Sequence, residues 1–115
     1  MGRALGEFEQ LILFALVELG EQAYGAAVGR AIEGRTGREV SAGAVYTALD
    51  RLEARGLVTA RVGDPTPERG GRRRKYYLLE PEGAVALHRS VDVLRSMSEG
   101  LMPRLADLMG GRSGS

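Results

Sequence analysis

The residues best suited to bind a charged ligand are four consecutive cations, Arg72, Arg73, Arg74 and Lys75. Eight of the sixteen basic residues, but only three of the fifteen acidic residues, lie between positions 51 and 76. Arginine and lysine side chains neutralise phosphates, and a basic region on an otherwise acidic chain is typical of proteins that hold a polyanion. The alternative interpretation is a solvated loop without a ligand, so the neighbouring residues must decide between the two.

A second group of candidate residues lies on a helix predicted from Ser41 to about Arg55. Ser41 is a suitable N-cap, and a glycine follows the last helical residue. Gly43 leaves the helix N-terminus without a side chain, so that backbone N–H groups can approach a phosphate. Thr47 and Arg51 project from the same face one turn apart. Helical spacing places one set of residues outward, namely Gly43, Thr47, Asp50, Arg51 and Ala54, with Tyr46 on the flank.

Hydrophobic periodicity and turn residues predict the elements that position these residues. We expect helices over 7–19, 24–35 and 41–55, strands over 57–62 and 75–79 joined by a broken loop, and a last helix that begins at Pro81. This order predicts a mainly α fold with a small β-hairpin (α+β), specifically a winged helix-turn-helix. In that arrangement the third helix lies in the DNA major groove and the hairpin reaches the adjacent backbone or minor groove.

The sequence divides into a winged helix-turn-helix DNA-binding domain over 1–80, a C-terminal dimerisation helix over 81–109 and a disordered tail over 110–115. In the last helix, apolar residues recur at alternating spacings of three and four, which is typical of a coiled-coil seam. The predicted homodimer interface comprises Leu87, Val91, Leu94 and Leu101. Gly100 and Pro103 predict a break in this helix. The alternative is that the last helix folds back on its own domain.

Composition and motifs exclude several classes of protein. The chain has no cysteine and one histidine, so neither a disulfide nor a metal site is expected. It has no nucleophile elbow and no phosphate-binding glycine loop, so we predict no catalytic residue and no cofactor. The longest apolar run, 11–17, is shorter than the roughly 20 residues that span a bilayer, and we expect a cytoplasmic protein without a membrane partner.

Several stretches of this sequence resemble the PadR family of transcriptional regulators. The most specific is Ser-x-Gly-x-x-Tyr-x-x-Leu-x-Arg-Leu, which runs from Ser41 to Leu52. The others are Ala-Tyr-Gly at 23–25, Gly-Leu-Val at 56–58, Gly-Gly-Arg-Arg-Arg-Lys-Tyr-Tyr-Leu at 70–78 and Pro-Glu-Gly at 81–83. The resemblance covers roughly residues 5 to 95. The chain departs from the pattern at Thr47, where many relatives have proline.

The resemblance implies a homodimeric winged-helix repressor that is joined through its C-terminal helix and leaves DNA when an effector binds. By resemblance, Ser41, Gly43, Tyr46, Thr47 and Arg51 fall on the recognition helix, and the basic run falls on the wing. The implied partners are double-stranded DNA with a palindromic operator, a second copy of the chain, and a small aromatic or amphipathic effector.

Two residues of the third helix have alternative interpretations. Tyr46 could reach a phosphate through its hydroxyl, or it could pack between the helix and the hairpin. Asp50 could accept a hydrogen bond from a cytosine amino group, or it could pair with Arg51 or Arg30.

The rival function is a winged-helix protein-interaction module that binds no nucleic acid. Four consecutive cations favour the DNA-binding interpretation, because a protein-binding hairpin does not need them. Tyr76 and Tyr77, which follow these cations, are predicted to be strand residues rather than platforms for stacking. The salt dependence of binding to duplex DNA distinguishes the two functions.

Overall fold

The computed structural model describes residues 4–63 and 73–110. The elements in chain order are helices α1 (Glu7–Leu19), α2 (Gly25–Thr36) and α3 (Ala42–Ala54), strands β1 (Val58–Val62) and β2 (Lys75–Leu79), and helices α4 (Pro81–Ser98) and α5 (Met102–Leu108). A short 3₁₀ helix, Gly20–Gln22, joins α1 to α2. The chain is therefore mainly helical with one small antiparallel hairpin among the described residues, which confirms the predicted fold class.

The core lies where the first three helices meet. Helix α1 is its central element, since it contacts α2, α3, α4 and β2. This position explains why α1 is apolar on most sides, although Phe14 and Val17 remain exposed. Five aliphatic side chains of α1, α2 and α3 have no exposed surface, namely Ile12, Leu13, Val28, Leu49 and Leu52. Full burial of such a side chain stabilises a fold by about 1.5–3 kcal/mol, so these contacts hold α3 firmly in place.

The hairpin is joined to the start of α2 as well as to α3. Strands β1 and β2 run antiparallel, with Val58 opposite Leu79. On the other edge of β2, the Tyr77 amide donates a hydrogen bond to the Ala23 carbonyl oxygen at 2.8 Å. Tyr24 forms an isolated antiparallel bridge with Tyr76. The segment before α2 thus pairs with β2, which the sequence analysis did not predict.

Helix α4 crosses the hairpin at very short range. A Cβ atom at Gly83 would overlap the carbonyl oxygen of Leu57, so this crossing requires glycine. After α4, Gly100 adopts a φ of 76° in the left-handed region. The break predicted near Gly100 and Pro103 is confirmed, and α5 begins immediately beyond it.

The element bounds agree closely with the predicted ones. Helix α1 has the predicted limits, whereas α2, α3 and β1 each begin one residue later than expected and α3 ends one residue earlier. Residues 64–72 and 111–115 lie outside the described residues. The predicted disorder of the tail, and the division into segments 1–80, 81–109 and 110–115, therefore stay predictions.

Candidate nucleic-acid interface

The N-terminus of α3 is capped and open to the exterior. The Ser41 side-chain oxygen accepts a hydrogen bond from the Ala44 backbone nitrogen at 3.1 Å, which confirms the predicted cap. Gly43 is exposed, and a Cβ atom there would have no neighbouring atom within 4 Å. Packing within the chain therefore does not require glycine at this position. An external anion can approach this backbone, where the helix dipole favours negative charge.

The exposed face of α3 continues from Gly43 through Thr47 to Arg51. Opposite this face, α3 is held by four buried side chains, Val45, Ala48, Leu49 and Leu52. Thr47 and Arg51 also line a groove of about 760 Å³ that the start of α1 shares. An arginine fork can bond two acceptors on a guanine edge, and a threonine can contact any base. The face thus combines anion-binding amides with base-contacting side chains on a rigid helix.

Asp50 is exposed on α3 and forms no salt bridge in the described part of the chain, although its charge contributes to the raised pKa of Lys75. The predicted pairing with Arg51 or Arg30 is therefore not observed. Arg30 is held elsewhere, because its Nη2 atom donates to the Tyr24 hydroxyl at 2.8 Å. The other interpretation, a hydrogen bond from a cytosine amino group to Asp50, stays a prediction.

Tyr46 connects α3 to the first turn of α2. Its ring lies so close to Gly25 that a Cβ atom there would overlap it. One packing partner of Tyr46 is thus α2, and the predicted packing between α3 and the hairpin stays a prediction. Tyr46 is nevertheless 44% exposed, so it lies on the surface between the two helices. The predicted contact of the Tyr46 hydroxyl with a phosphate stays a prediction.

The four consecutive cations have different environments. Arg72 lies outside the described residues, and Arg73 is exposed. The Lys75 Nζ atom lies 3.7 Å from a carboxylate oxygen of Glu53, which links the hairpin to the end of α3. Arg74 is half-buried and stacks on an aromatic ring. The four cations therefore do not form a uniform solvated loop, because Arg74 packs on a ring and Lys75 lies beside a carboxylate.

Lys75 and Tyr77 influence each other's ionisation. Burial raises the pKa of the Tyr77 hydroxyl, and the positive charge of Lys75 opposes this rise. The pKa of Lys75 is raised chiefly by its charge interaction with Tyr77, while burial opposes this rise and Glu53 adds to it. At neutral pH the lysine is therefore charged and the tyrosine is neutral, so the hairpin keeps this positive charge.

A cluster of arginine and tyrosine side chains lies between α2 and the hairpin, and the sequence analysis missed it. We call it the Arg–Tyr cluster; its members are Tyr24, Arg30, Arg61, Arg74 and Tyr76. The guanidinium carbons of Arg74 and Arg30 lie 3.9 and 5.7 Å from the Tyr24 ring centroid. That of Arg61 lies 4.6 Å from the Tyr76 ring centroid, and the two rings meet edge to face at 5.8 Å. Tyr76 is thus both a strand residue and a platform for a cation.

The structure separates the predicted interface residues into two groups. Leu87 is 4% exposed and belongs to the chain's own core, and Val91 is half-buried against that core. The assignment of Leu87 to an interface is therefore corrected, because the first part of α4 packs on its own domain. Leu94 and Leu101 are 61% and 51% exposed. Beyond Val91, then, the apolar surface of α4 is uncovered.

The described ranges contain neither a candidate metal site nor a candidate membrane-spanning helix. Within residues 4–63 and 73–110, no three histidine, aspartate or glutamate side chains come together as a metal site. The one histidine, His88, lies 3.1 Å from a carboxylate oxygen of Asp92 on exposed α4. No helix in this part of the chain is long and apolar enough to cross a membrane.

Comparison with known proteins agrees with this geometry. The sequence model of the transcriptional regulator PadR-like family matches residues 12–89. No curated protein sequence matches the chain significantly.

Several solved structures share the fold. A transcriptional regulator from Clostridium thermocellum is 26% identical, with a TM-score of 0.67 over 79% of this chain and 85% of that chain. A PadR family transcriptional regulator from Eggerthella lenta is 27% identical, with a TM-score of 0.66 over 86% of each chain. The protein chain in the structure of the hsRosR-S1 complex is 29% identical in sequence, with a TM-score of 0.66 over 92% of this chain and 87% of that chain.

Proposed function

Because the chain belongs to the PadR-like family of transcriptional regulators, we propose that it binds double-stranded DNA as a homodimeric repressor. The family is one of transcriptional regulators, not of enzymes. The observation that carries the proposal is the exposed face of α3, where Gly43, Thr47 and Arg51 follow one another beside a basic hairpin. A major groove admits a helix, and this is the helix that the fold exposes.

In the proposed complex, different residues of α3 contact the phosphates and the bases. The capped N-terminus at Ser41 and Gly43 holds a phosphate, while Thr47 and Arg51 contact base edges. The exposed cations of the hairpin, Arg73 among them, neutralise neighbouring phosphates. An arginine fork on guanine contributes roughly 1–3 kcal/mol of discrimination against another base. Phosphate contacts thus fix the position of the protein, and α3 supplies the sequence preference.

The proposed homodimer is supported by the uncovered apolar surface of α4 and α5. Of the thirteen exposed large hydrophobic residues in the described ranges, nine lie between Val85 and Met109. Phe14 and Val17 of α1 are 47% and 59% exposed as well. An exposed apolar surface of this extent is typical of an interface. Two copies related by a two-fold axis would cover it and would present two α3 helices to a palindromic operator.

The proposal also includes a small aromatic or amphipathic effector that releases the DNA. A groove of about 800 Å³ separates the start of α1 from α4, and Leu57, Val85 and Leu94 line it together with Arg55 and Arg89. Apolar walls with a few polar groups are typical of small-molecule sites. Aromatic carboxylates are the compounds to test first, with loss of DNA binding as the measurement.

Selection of bound sequences from a random duplex pool tests the proposed function. We expect enrichment of a palindromic motif whose half-sites lie about one helical turn, roughly 34–36 Å, apart. Failure to enrich any sequence, together with binding that does not depend on salt, would instead favour the protein-interaction module.

A further inference from the structure

The Arg–Tyr cluster adjoins the proposed DNA-binding face without belonging to α3. Tyr24 is the N-cap residue of α2 and pairs with Tyr76 of β2. The next residue, Gly25, contacts the ring of Tyr46 on α3. The cluster therefore lies between α2 and the hairpin, beside α3, where the DNA backbone would pass if α3 and the hairpin both contacted the duplex.

The three arginines of this cluster bring positive charge together, and no carboxylate of the described residues forms a salt bridge with them. Within residues 4–63 and 73–110, neither Arg30, Arg61 nor Arg74 forms a salt bridge. By contrast, Arg35 and Arg38 are paired with glutamates at 2.9 and 3.1 Å. An anion bound among these guanidinium groups would be attracted by each of them.

The polar atoms of these arginines are only partly satisfied by the described residues. The Arg74 Nε atom is buried and has no hydrogen-bond partner among them. One Arg61 nitrogen donates to the Glu21 carbonyl oxygen at a long 3.4 Å, and Arg30 donates once, to Tyr24. A guanidinium group has five N–H donors, and within residues 4–63 and 73–110 Arg30 and Arg61 each use one of them in these hydrogen bonds. The buried Nε atom of Arg74 is closed to an external acceptor, so its terminal nitrogens are the donors that a phosphate would meet.

Stacking on the tyrosine rings orders the guanidinium groups before any ligand binds. A cation over an aromatic face is attracted by the ring, and arginine adds planar stacking. Side chains that are already ordered lose less conformational entropy when they bind, which favours affinity.

We propose that the three arginines of the Arg–Tyr cluster bind DNA backbone phosphates beside α3, where α2 meets the hairpin, and that Tyr24 and Tyr76 are their positioning residues. This inference rests on the proposed function and adds a phosphate-binding element that neither α3 nor the consecutive cations supply alone. It assigns a role to Arg30 and Arg61, which lie outside the basic run.

The first test removes the positive charges while keeping polar side chains at the three positions. The triple variant Arg30→Gln, Arg61→Gln and Arg74→Gln is titrated with a fluorescent random duplex at several salt concentrations. The slope of the logarithm of affinity against the logarithm of salt should become flatter by about 1 for each arginine that no longer binds a phosphate. Sequence preference should be unchanged. The matched control Arg35→Gln, whose guanidinium pairs with Glu18, should retain the slope of the parent protein.

A second test distinguishes positioning from charge. Tyr76→Leu keeps all three arginines and removes the ring under Arg61, so affinity should fall while the salt slope stays near that of the parent protein. If the triple variant fails to fold, the single variant Arg61→Gln serves, because Arg61 is exposed.

The outcomes separate this inference from the proposed function. A folded variant, triple or single, with the slope of the parent protein overturns the phosphate-binding cluster even though the parent binds DNA. Absence of salt-dependent DNA binding by the parent overturns the proposed function itself, and the cluster with it.

Discussion

Replacing Gly43 by alanine separates the stability of α3 from its proposed contact with DNA. Gly43 lies in the first turn of α3, and a Cβ atom there would meet nothing within 4 Å. Alanine is therefore accommodated without strain in the unbound protein. The same methyl group projects from the exposed face, where we propose that a phosphate approaches the backbone.

The structure predicts opposite effects of Gly43→Ala on stability and on DNA affinity. Alanine is favoured over glycine within a helix by up to about 1 kcal/mol, so the melting temperature should rise by roughly 2–5 °C. Loss of a hydrogen bond to a charged group costs about 1.5–3 kcal/mol. Since each 1.4 kcal/mol is about tenfold, affinity for duplex DNA should fall at least roughly tenfold. Thermal unfolding followed by circular dichroism and fluorescence anisotropy with labelled DNA measure the two effects.

Gly34→Ala is the matched control for this substitution. Gly34 also lies in a helix, and a Cβ atom there would likewise meet nothing within 4 Å, but it is far along α2 from the proposed interface. This variant should gain similar stability and keep its DNA affinity. Equal DNA affinity for both variants would refute the close approach at Gly43. A lower melting temperature of Gly43→Ala would refute the open geometry itself.

Three further predictions concern base reading, assembly and packing. Arg51→Ala should relax preference at one base position per half-site, by roughly 1–3 kcal/mol, in selection from a random pool; an unchanged motif would mean that Arg51 contacts phosphate only. Leu94→Glu with Met97→Glu should give folded monomers in sedimentation, because these side chains are 61% and 71% exposed in the single chain; a persistent dimer would place the interface elsewhere. Gly83→Ala should lower the free energy of unfolding by roughly 1–3 kcal/mol, because its Cβ overlaps the Leu57 carbonyl oxygen, and unchanged stability in denaturant would contradict that crossing.

Local signals explain which parts of the fold could be predicted from the sequence. The cap of α3 depends on Ser41 and on an amide three residues away, and the break after α4 depends on Gly100. Both are short-range features whose chemistry is readable in adjacent residues. The exposed face of α3 follows equally from helical period, so the predicted outward positions of Gly43 and Arg51 are confirmed.

Long-range contacts explain what could not be predicted. Tyr24 and Tyr76 meet only after the chain has folded, and nothing near either residue indicates the other. Arg73 and Arg74 are neighbours in the sequence, yet one is exposed and the other stacks on Tyr24. Similarly, the spacing of apolar residues in α4 identifies Leu87 as apolar but does not show whether its own domain or a second copy covers it.

The salt dependence of binding to duplex DNA shows whether this chain holds DNA through its phosphates. Each phosphate contact contributes about −0.9 to the slope of log affinity against log salt. A dimer with at least two contacts per protomer should therefore give a slope of roughly −3.6 or steeper, or about a hundredfold loss of affinity between about 50 and 200 mM salt. Absence of binding to duplex DNA, or an affinity that does not change with salt, would contradict the proposed phosphate contacts.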